Sequence, residues 1–487
     1  MSTRAGAWLG ALVVALLATV PLLRELDAPY GRGMSGWQGA FFSIAAQRYE
    51  HNGLAAHAGY PSMQIAGAHI SEDDLKRASN EEWVYANHPP TVPLLAWLSV
   101  RTFAPDNWYA VYPPRGTEAP LRVAFLALHA LGAVCLWWLL RDVLGVPGAW
   151  FGAIIYALLP VEWVLGMHPN YEHAVLVPLL LGLRAAWHHG ARATRHLPWS
   201  VAGWMALGSC ITWSPLAFLP CLAWLWTHTP WRVRLLHMGF VSALAAVPLL
   251  VHMLWASQLN LTEASSSARA GELLKPWLEG QGWLWLQALG SRAWDYQGVA
   301  ALVALCAVPM AVVAHRTRSA RLILALVVSG LLVLVAFARH VVEGQEIFQL
   351  MLAPAVAGGV AYVGAQLWTR GRVGRTCALA LLVMLGLQGW AQGQRLRTEL
   401  QAATWSQGLA PLPQDLGPVI RNTTEPHELV GVPARFLCEL ATAWHAWRDV
   451  IAVEEAEAEA WLAAGEARVH VVPLGDGREV RVQRRAP

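Results

Sequence analysis

The sequence predicts an all-α polytopic membrane protein of about 11 transmembrane helices, with a long first outer loop carrying interfacial helices and a small α/β domain at its C-terminal end. Three observations lead there. Of 487 residues 56% are hydrophobic and only 14% charged, against about 25% charged in a soluble domain. Apolar runs of about 17 to 20 residues recur along the chain, and one of them, Leu322 to Ala336, has Ser329 as its only polar side chain, so it lacks the polar face that a helix of a soluble protein keeps. Many of the 27 tryptophans stand at the edges of such runs, where an amphipathic ring meets lipid headgroups.

The first apolar segment, Ala7 to Leu23, follows Arg4 and has no small-residue cleavage site, so it reads as an uncleaved span. A polar, aromatic-rich loop follows over 24–90. Within it Trp37, Phe41, Ile44 and Ala45 recur at helical spacing opposite Gln38, Ser43, Gln47 and Arg48, the pattern of an amphipathic helix in the interface plane, and Gly53 is its expected stop. His88-Pro89-Pro90 closes the loop as a helix start, because two prolines lack only N–H groups that a first turn leaves unpaired anyway. The apolar stretch Thr91 to Phe103 then covers only about 20 Å against a hydrocarbon core of roughly 30 Å, which places it at the interface. Spans are expected at 120–140, 148–166 and 174–187, in a Pro-broken pair at 199–213 and 215–228, and at 236–256, 298–315, 322–338, 348–367 and 376–391.

Threading these spans from an inner N-terminus gathers Arg4, Arg141, Arg192, Arg195, Arg232, Arg234, Arg316, Arg318, Arg321, Arg370, Arg372 and Arg375 on one side, which the positive-inside rule makes the cytoplasm. The loop 24–90, a turn at 168–173, the segment 257–297, a turn at 339–346 and the tail are then outside, in a bacterial inner membrane. Residues 1–392 form the membrane domain. Residues 411–487 form a small periplasmic domain with strand patterns at Glu428 to Val432, Arg468 to Val472 and Glu479 to Val482, and helical patterns at 434–447 and 453–464. A net charge of +3 gives no reason to expect nucleic acid. Five of six cysteines, Cys135, Cys210, Cys221, Cys306 and Cys377, lie inside apolar runs and read as small core residues; Cys438 lies in the tail.

The polar sequence is concentrated outside, while a transporter or flippase keeps its working polar groups within the spans. Surface chemistry is therefore preferred over transport, and over a non-catalytic role in envelope assembly. The candidate groups are His88 beside a helix N-terminus suited to a lipid-linked phosphate, Glu172 as a catalytic or metal-binding carboxylate, and the turn holding Arg339, His340, Glu343 and Glu346. Lys275 and Arg292, among Trp277, Trp283, Trp285 and Trp294, suit the phosphate and first isoprene units of a lipid carrier, and the segment equally suits a plain interfacial helix. Glu172 equally suits a plain helix start, whose dipole favours a carboxylate. Walker, dinucleotide-fingerprint, HExxH and zinc CxxC patterns are not found.

The order of parts resembles the GT-C superfamily of integral membrane glycosyltransferases, the group that includes protein mannosyltransferases and the aminoarabinose and galacturonic acid transferases acting on lipopolysaccharide. The resemblance rests on Trp37 to Tyr49 after the first span, His88-Pro89-Pro90, Arg122, Leu158-Leu159-Pro160, Tyr171-Glu172, Ala202 to Trp213 and His340 to Pro354, and covers roughly 7–366. It implies an inverting transfer of a sugar from a polyprenyl phosphate to a lipid or polysaccharide acceptor, with a carboxylate of the first outer loop as base and cations or a divalent metal neutralising the departing phosphate. Where that family usually has two acids this chain has Gln38-Gly39. The base then falls to Glu172, or to Glu50 or Asp27 of the first loop, or the chain has lost activity; Gln38, His88, Lys275, Arg292, Arg339, His340 and Glu346 remain as substrate-binding candidates.

Overall fold

The computed structural model describes residues 3–28, 33–54, 59–61, 86, 88–104, 117–191, 196–226, 229–258, 280, 282–336, 346–401, 416, 419–422, 429–433, 449–453, 467–473 and 479–485. The chain forms two compact units. One comprises Met1–Arg24, Phe125–Thr262 and Ser266–Leu396, and the other Glu25–Ala124, Glu263–Ser265 and Arg397–Pro487.

Among the described residues six helices are long and apolar enough to cross a membrane, or seven if a bent pair counts as one. That is fewer than the about 11 spans expected, and the difference lies in how the helices are divided and how long they are. The runs at 120–140 and 148–166 are two helices, described together as α4 (Glu118–Leu158), that meet at Gly145 where φ is 75°; the whole stretch, about 61 Å long, is too long for one crossing of a roughly 30 Å core. The Pro-broken pair forms α7 (Trp199–Ser209) and α8 (Pro215–Leu225), 11 residues each, which reach only about 17 Å. After α4 in sequence, α5 (Pro160–Leu165) is a short helix of six residues. The following helix, α6 (Tyr171–Ala191), carries Glu172, Arg184 and three histidines. The six spans are Gly6–Glu25, Glu118–Leu158, Trp231–Gln258, Arg318–Ala336, Ile347–Trp368 and Gly371–Thr398. They take in α1 (Thr3–Thr19), α9 (Trp231–Gln258), α12 (Arg318–Ala336), α13 (Ala353–Trp368) and most of α14 (Gly371–Gln401). Lipid-length apolar faces are left open on them, for example Leu250, Leu254 and Trp255 on α9 and Val383, Leu387 and Trp390 on α14, as bilayer contact requires.

The bent pair is α10 (Gly282–Gln297) and α11 (Val299–Val313), which meet at 112°. Gly298 makes the corner with φ 63° and ψ −156°. Two glutamines of α14 fill it: Gln388 Oε1 accepts the N–H of Val299 at 3.2 Å, and Gln392 Nε2 donates to the carbonyls of Trp294 and Asp295 at 2.9 and 2.7 Å. Backbone groups that a helix break strands are thereby satisfied by side-chain amides.

In the second unit α2 (Gly33–Asn52) stops where expected, with Gly53 at φ 81°. Its expected wet face is corrected: Gln38, Ser43, Gln47 and Arg48 are as buried as Phe41, Ile44 and Ala45. Periodicity shows that a helix has two kinds of face but not what covers the polar one. The interface helix, α3 (Thr91–Phe103), has the expected bounds with Pro90 at its N-cap; Val92, Ala96 and Val100 are buried while Leu98 and Phe103 are exposed. Arg122, 1% exposed, donates through Nη1 to the carbonyls of Glu25 at 3.0 Å, Leu26 at 2.7 Å and Ala28, closing the carbonyl end of the chain that leaves the first span.

Four strands, β1 (Leu429–Pro433), β2 (Asp449–Val453), β3 (Ala467–Pro473) and β4 (Glu479–Arg485), form a sheet in the order β2-β1-β4-β3. The pair β1 and β2 is parallel, from Leu429 opposite Asp449 to Pro433 opposite Val453, and the other two pairs are antiparallel. A parallel pair needs a crossover connection, which lies outside the described residues. The helical patterns at 434–447 and 453–464, and Cys438, lie outside the described residues.

Candidate functional site

The densest buried polar group of the first unit forms where α5 turns into α6. Pro160 occupies the first turn of α5, where a missing N–H is harmless. A short turn then leads to Asn170, which starts α6 as its N-cap: Oδ1 accepts the N–H of His173 at 2.7 Å, and Nδ2 donates to the carbonyl of His168 at 2.8 Å. The same Nδ2 lies 2.9 Å from His173 Nδ1. On its other side, His173 Nε2 is 3.2 Å from Glu162 Oε2. His129, from α4, brings Nδ1 to 3.0 Å from that same oxygen, off the line of a hydrogen bond, and its ring stacks on Tyr156. All three side chains are at most 1% exposed.

His129, Glu162 and His173 thus offer three ligand atoms within 4.8 Å of one another, the spacing of a metal site. Hydrogen bonding decides against it. The Asn170 amide is oriented by two backbone bonds, so the group facing His173 Nδ1 is an N–H donor, and Nδ1 must accept. A neutral His173 then carries its proton on Nε2 and donates it to Glu162. Burial also holds this imidazole below its ordinary pKa, against the Glu162 carboxylate. An Nε2 that bears a proton has no lone pair for a cation. The three residues therefore do not fit a metal as they stand, and no chemical step is routed through one.

Glu172, the neighbour of His173, is 1% exposed, and its Oε2 has no hydrogen-bond partner among the described residues. Burial, against a weaker pull from its own backbone N–H, pushes the carboxyl up to about 7. A carboxylate with this pKa both takes and gives a proton readily near neutral pH.

The other expected site residues are distributed as follows. Gln38, Glu50, Asp27 and His88 belong to the second unit. Gln38 is buried with Oε1 lacking a partner among the described residues, and His88 is half-buried next to Pro89. Glu50 is engaged by α3: its Oε2 accepts from Trp97 Nε1 at 2.8 Å and pairs with Arg101 at 3.5 Å. Asp27 is exposed. Arg292 is half-buried on α10 in the first unit. Lys275, Arg339 and His340 lie outside the described residues; Glu346 opens a 3₁₀ turn, Glu346–Met351, and its side chain lies outside them too.

Sequence reasoning passed over His129 and Glu162 because both sit inside apolar runs. Their signal was that same placement, since an ionisable group within a hydrophobic run is costly unless paired or used.

No family model matches the sequence, and no curated protein matches it. The likeness to solved structures is in the fold. An apo oligosaccharyltransferase of Archaeoglobus fulgidus superposes with a TM-score of 0.58 at 11% identity, over 94% of this chain and 65% of that one. This chain therefore spans under two thirds of the oligosaccharyltransferase. ArnT from Cupriavidus metallidurans superposes in its apo state with a TM-score of 0.55 at 12% identity, and bound to undecaprenyl phosphate with 0.50 at 13%, each over 99% of this chain and 98% of that one.

Proposed function

We propose that this chain, whose fold is that of the GT-C membrane glycosyltransferases, moves a sugar from a polyprenyl phosphate to a hydroxyl of a lipid or glycan on the outer face of the inner membrane. The shared fold with ArnT, solved with undecaprenyl phosphate bound, supports the class of donor. The observation that carries the chemistry is Glu172, a buried carboxyl with an oxygen that no described group occupies.

In this reading the Glu172 carboxylate takes the proton of the acceptor hydroxyl as that oxygen attacks the anomeric carbon. The bond from that carbon to the phosphate oxygen breaks on the opposite face, so the configuration inverts, and the electron pair leaves with the polyprenyl phosphate. Cationic side chains neutralise the charge that develops on the phosphate; Arg292 and His88 are the described candidates, with Lys275 and Arg339 beside them in the proposal. Gln38 contributes a neutral amide at the position where an acid is usual, so it positions substrate and takes no proton. Glu50, held by Trp97 and Arg101, and the exposed Asp27 are the weaker alternatives for the base.

The test is Glu172→Gln in the full-length protein, assayed with labelled polyprenyl-phosphate sugar. Turnover is expected to fall by about 10² to 10⁴-fold, the usual contribution of a positioned base, and undiminished turnover in a folded protein removes Glu172 from the mechanism. Wild-type turnover should rise as pH passes about 7, where the carboxyl deprotonates. Stability should move the other way. A carboxyl raised from 4.5 to about 7 leaves the folded state favoured below its unfolded value and progressively less so up to its folded one. The Glu172→Gln protein should lack that decline in thermal scans.

A further inference from the structure

Arg318 is the first residue of α12, and its guanidinium lies 4.2 Å from the centre of the Trp187 ring near the end of α6. It also lies against Gly190, where a Cβ would come within 3.0 Å of Nη2. The side chain is half-buried: Nη2 is inside, without a hydrogen bond among the described residues, and the rest of the guanidinium stays at the surface. One turn before Trp187 on α6, Arg184 stacks over Trp138 at 5.7 Å and gives its Nε to Asp142 at 2.7 Å. Both of its Nη groups are left for another partner.

The surrounding chain has no further acid for these two cations. Residues 173–262 and 296–342, which carry α7 to α9, α11, α12 and most of α6, contain no Asp or Glu. Asp142, the one acid between 119 and 161, already holds Arg184 and His188. Nor do the helices account for Arg318. The start of α12 is the positive end of its own dipole, and the negative end of α6 attracts a cation but accepts no hydrogen bond from this one among the described residues. A ring stack is worth less than it costs to bury a charged donor without an acceptor.

The surroundings say which anion fits. Guanidinium donors suit phosphate oxygens, and indole rings such as Trp138 and Trp187 are at home beside headgroups. Further along α12 the outward side chains Val328, Leu331 and Leu332 are exposed, beginning about 15 Å from Arg318, half the depth of a hydrocarbon core. Phosphate at one level and acyl chains along that face make a phospholipid. An ethanolamine headgroup would bring an amine that needs an acid, and Asp142 is taken. We propose that Arg318 and Arg184 hold the phosphate of an anionic phospholipid at the basic end of α6, as basic pockets between membrane helices do. This site lies at the opposite end of α6 from Glu172 and does not rest on the glycosyltransferase reading.

The experiment titrates the purified full-length protein in detergent with phosphatidylglycerol, phosphatidylethanolamine or soluble glycerol phosphate and follows the melting temperature. Phosphatidylglycerol is expected to raise it, and the other two to leave it nearly unmoved. Arg318→Gln should raise the half-maximal phosphatidylglycerol concentration about tenfold, the worth of one charge-assisted hydrogen bond. Arg372→Gln, which removes the same charge from an exposed position on α14, should leave that concentration unchanged. Arg184→Lys is the second variant: its single ammonium keeps the Asp142 pair and gives up the Nη donors, so it should weaken binding several-fold even if Arg318→Gln does not fold. Equal stabilisation by the two lipids would mean that the anionic headgroup is not recognised, and equal stabilisation by glycerol phosphate that the ligand is a soluble phosphate. An equal shift in Arg372→Gln would mean diffuse charge. Each of these overturns the proposal, as does a half-maximal concentration that neither Arg318→Gln nor Arg184→Lys moves.

Discussion

Asn170 decides which nitrogen of His173 carries a proton, and a single substitution should reverse that decision. Aspartate caps a helix as well as asparagine does, so Asn170→Asp keeps the start of α6. It has no N–H to offer Nδ1, however, and a carboxylate there draws the proton onto Nδ1, as carboxylate partners of metal-bound histidines do. Nε2 is then free to face Glu162 and His129, whose ligand atoms already lie within 4.8 Å. The expected outcome is that the wild type shows no His129-dependent visible band with Co²⁺, that Asn170→Asp shows one, and that adding His129→Ala abolishes it. The same band in the wild type would refute the assignment of the His173 proton. How much of this could be read beforehand differs by residue. Glu172 was legible, as an acid opening a helix after a short turn. Asn170 was not singled out, although asparagine before an apolar run is a helix-start signal. Its effect on His173 depends on Glu162, which only the fold of the α5–α6 turn brings within 3.2 Å of the ring.

At the scale of elements, sequence located the helices well and did not fix how many of them are long enough to span. The bounds of α3 and the stop of α2 at Gly53 followed from proline and glycine chemistry, which acts within one turn. The breaks at Gly145 and in the Pro-broken pair fell between expected runs, but the sequence did not show that α7 and α8 are only 11 residues each. The corner at Gly298 is the clearest case. The start of an apolar run at 298 was visible, and an interfacial helix before it was one reading of 257–297, but the 112° bend between the two was not. Gly298 has a φ of 63° and ψ of −156°, a region nearly closed to other residues, and a Cβ there would lie 2.7 Å from Gln388 Oε1. Gly298→Ala should therefore destabilise by about 1–3 kcal/mol and lower the melting temperature in detergent. Gly203→Ala is the control: a Cβ at Gly203 meets nothing within 4 Å, and the helix interior should gain up to about 1 kcal/mol. A corner variant as stable as the control would mean that the bend does not need glycine.

At the scale of the whole molecule, the first unit has chemically different ends. α6 shows it within one helix: Glu172 and His173 open it, while Arg184, His188 and His189 close it. From 172 to 188 is about 24 Å of helix, most of a hydrocarbon core. At the closing end Arg184 and His188 pair with Asp142 at 2.7 and 2.8 Å, and the Arg318 guanidinium lies 4.2 Å from the Trp187 ring. The chain therefore gathers at one end arginines that are far apart in sequence. Arg370, between α13 and α14, and Arg372 and Arg375, at the start of α14, are three more, the last over Trp368 at 5.6 Å. Each basic residue near an anionic cytoplasmic leaflet is worth about 1 kcal/mol, which supports the proposed orientation, with the basic end in the cytoplasm and Glu172 at the other. Single cysteines in a cysteine-free full-length background test this with a membrane-impermeant maleimide. Leu23→Cys, at an exposed position where the first span ends, should be labelled in intact spheroplasts, and Thr369→Cys, exposed between α13 and α14, only after permeabilisation. The opposite pattern would put Glu172 on the cytoplasmic side, where a lipid-linked donor presented on the outer leaflet is out of reach, and would remove the outer-face assignment of the reaction.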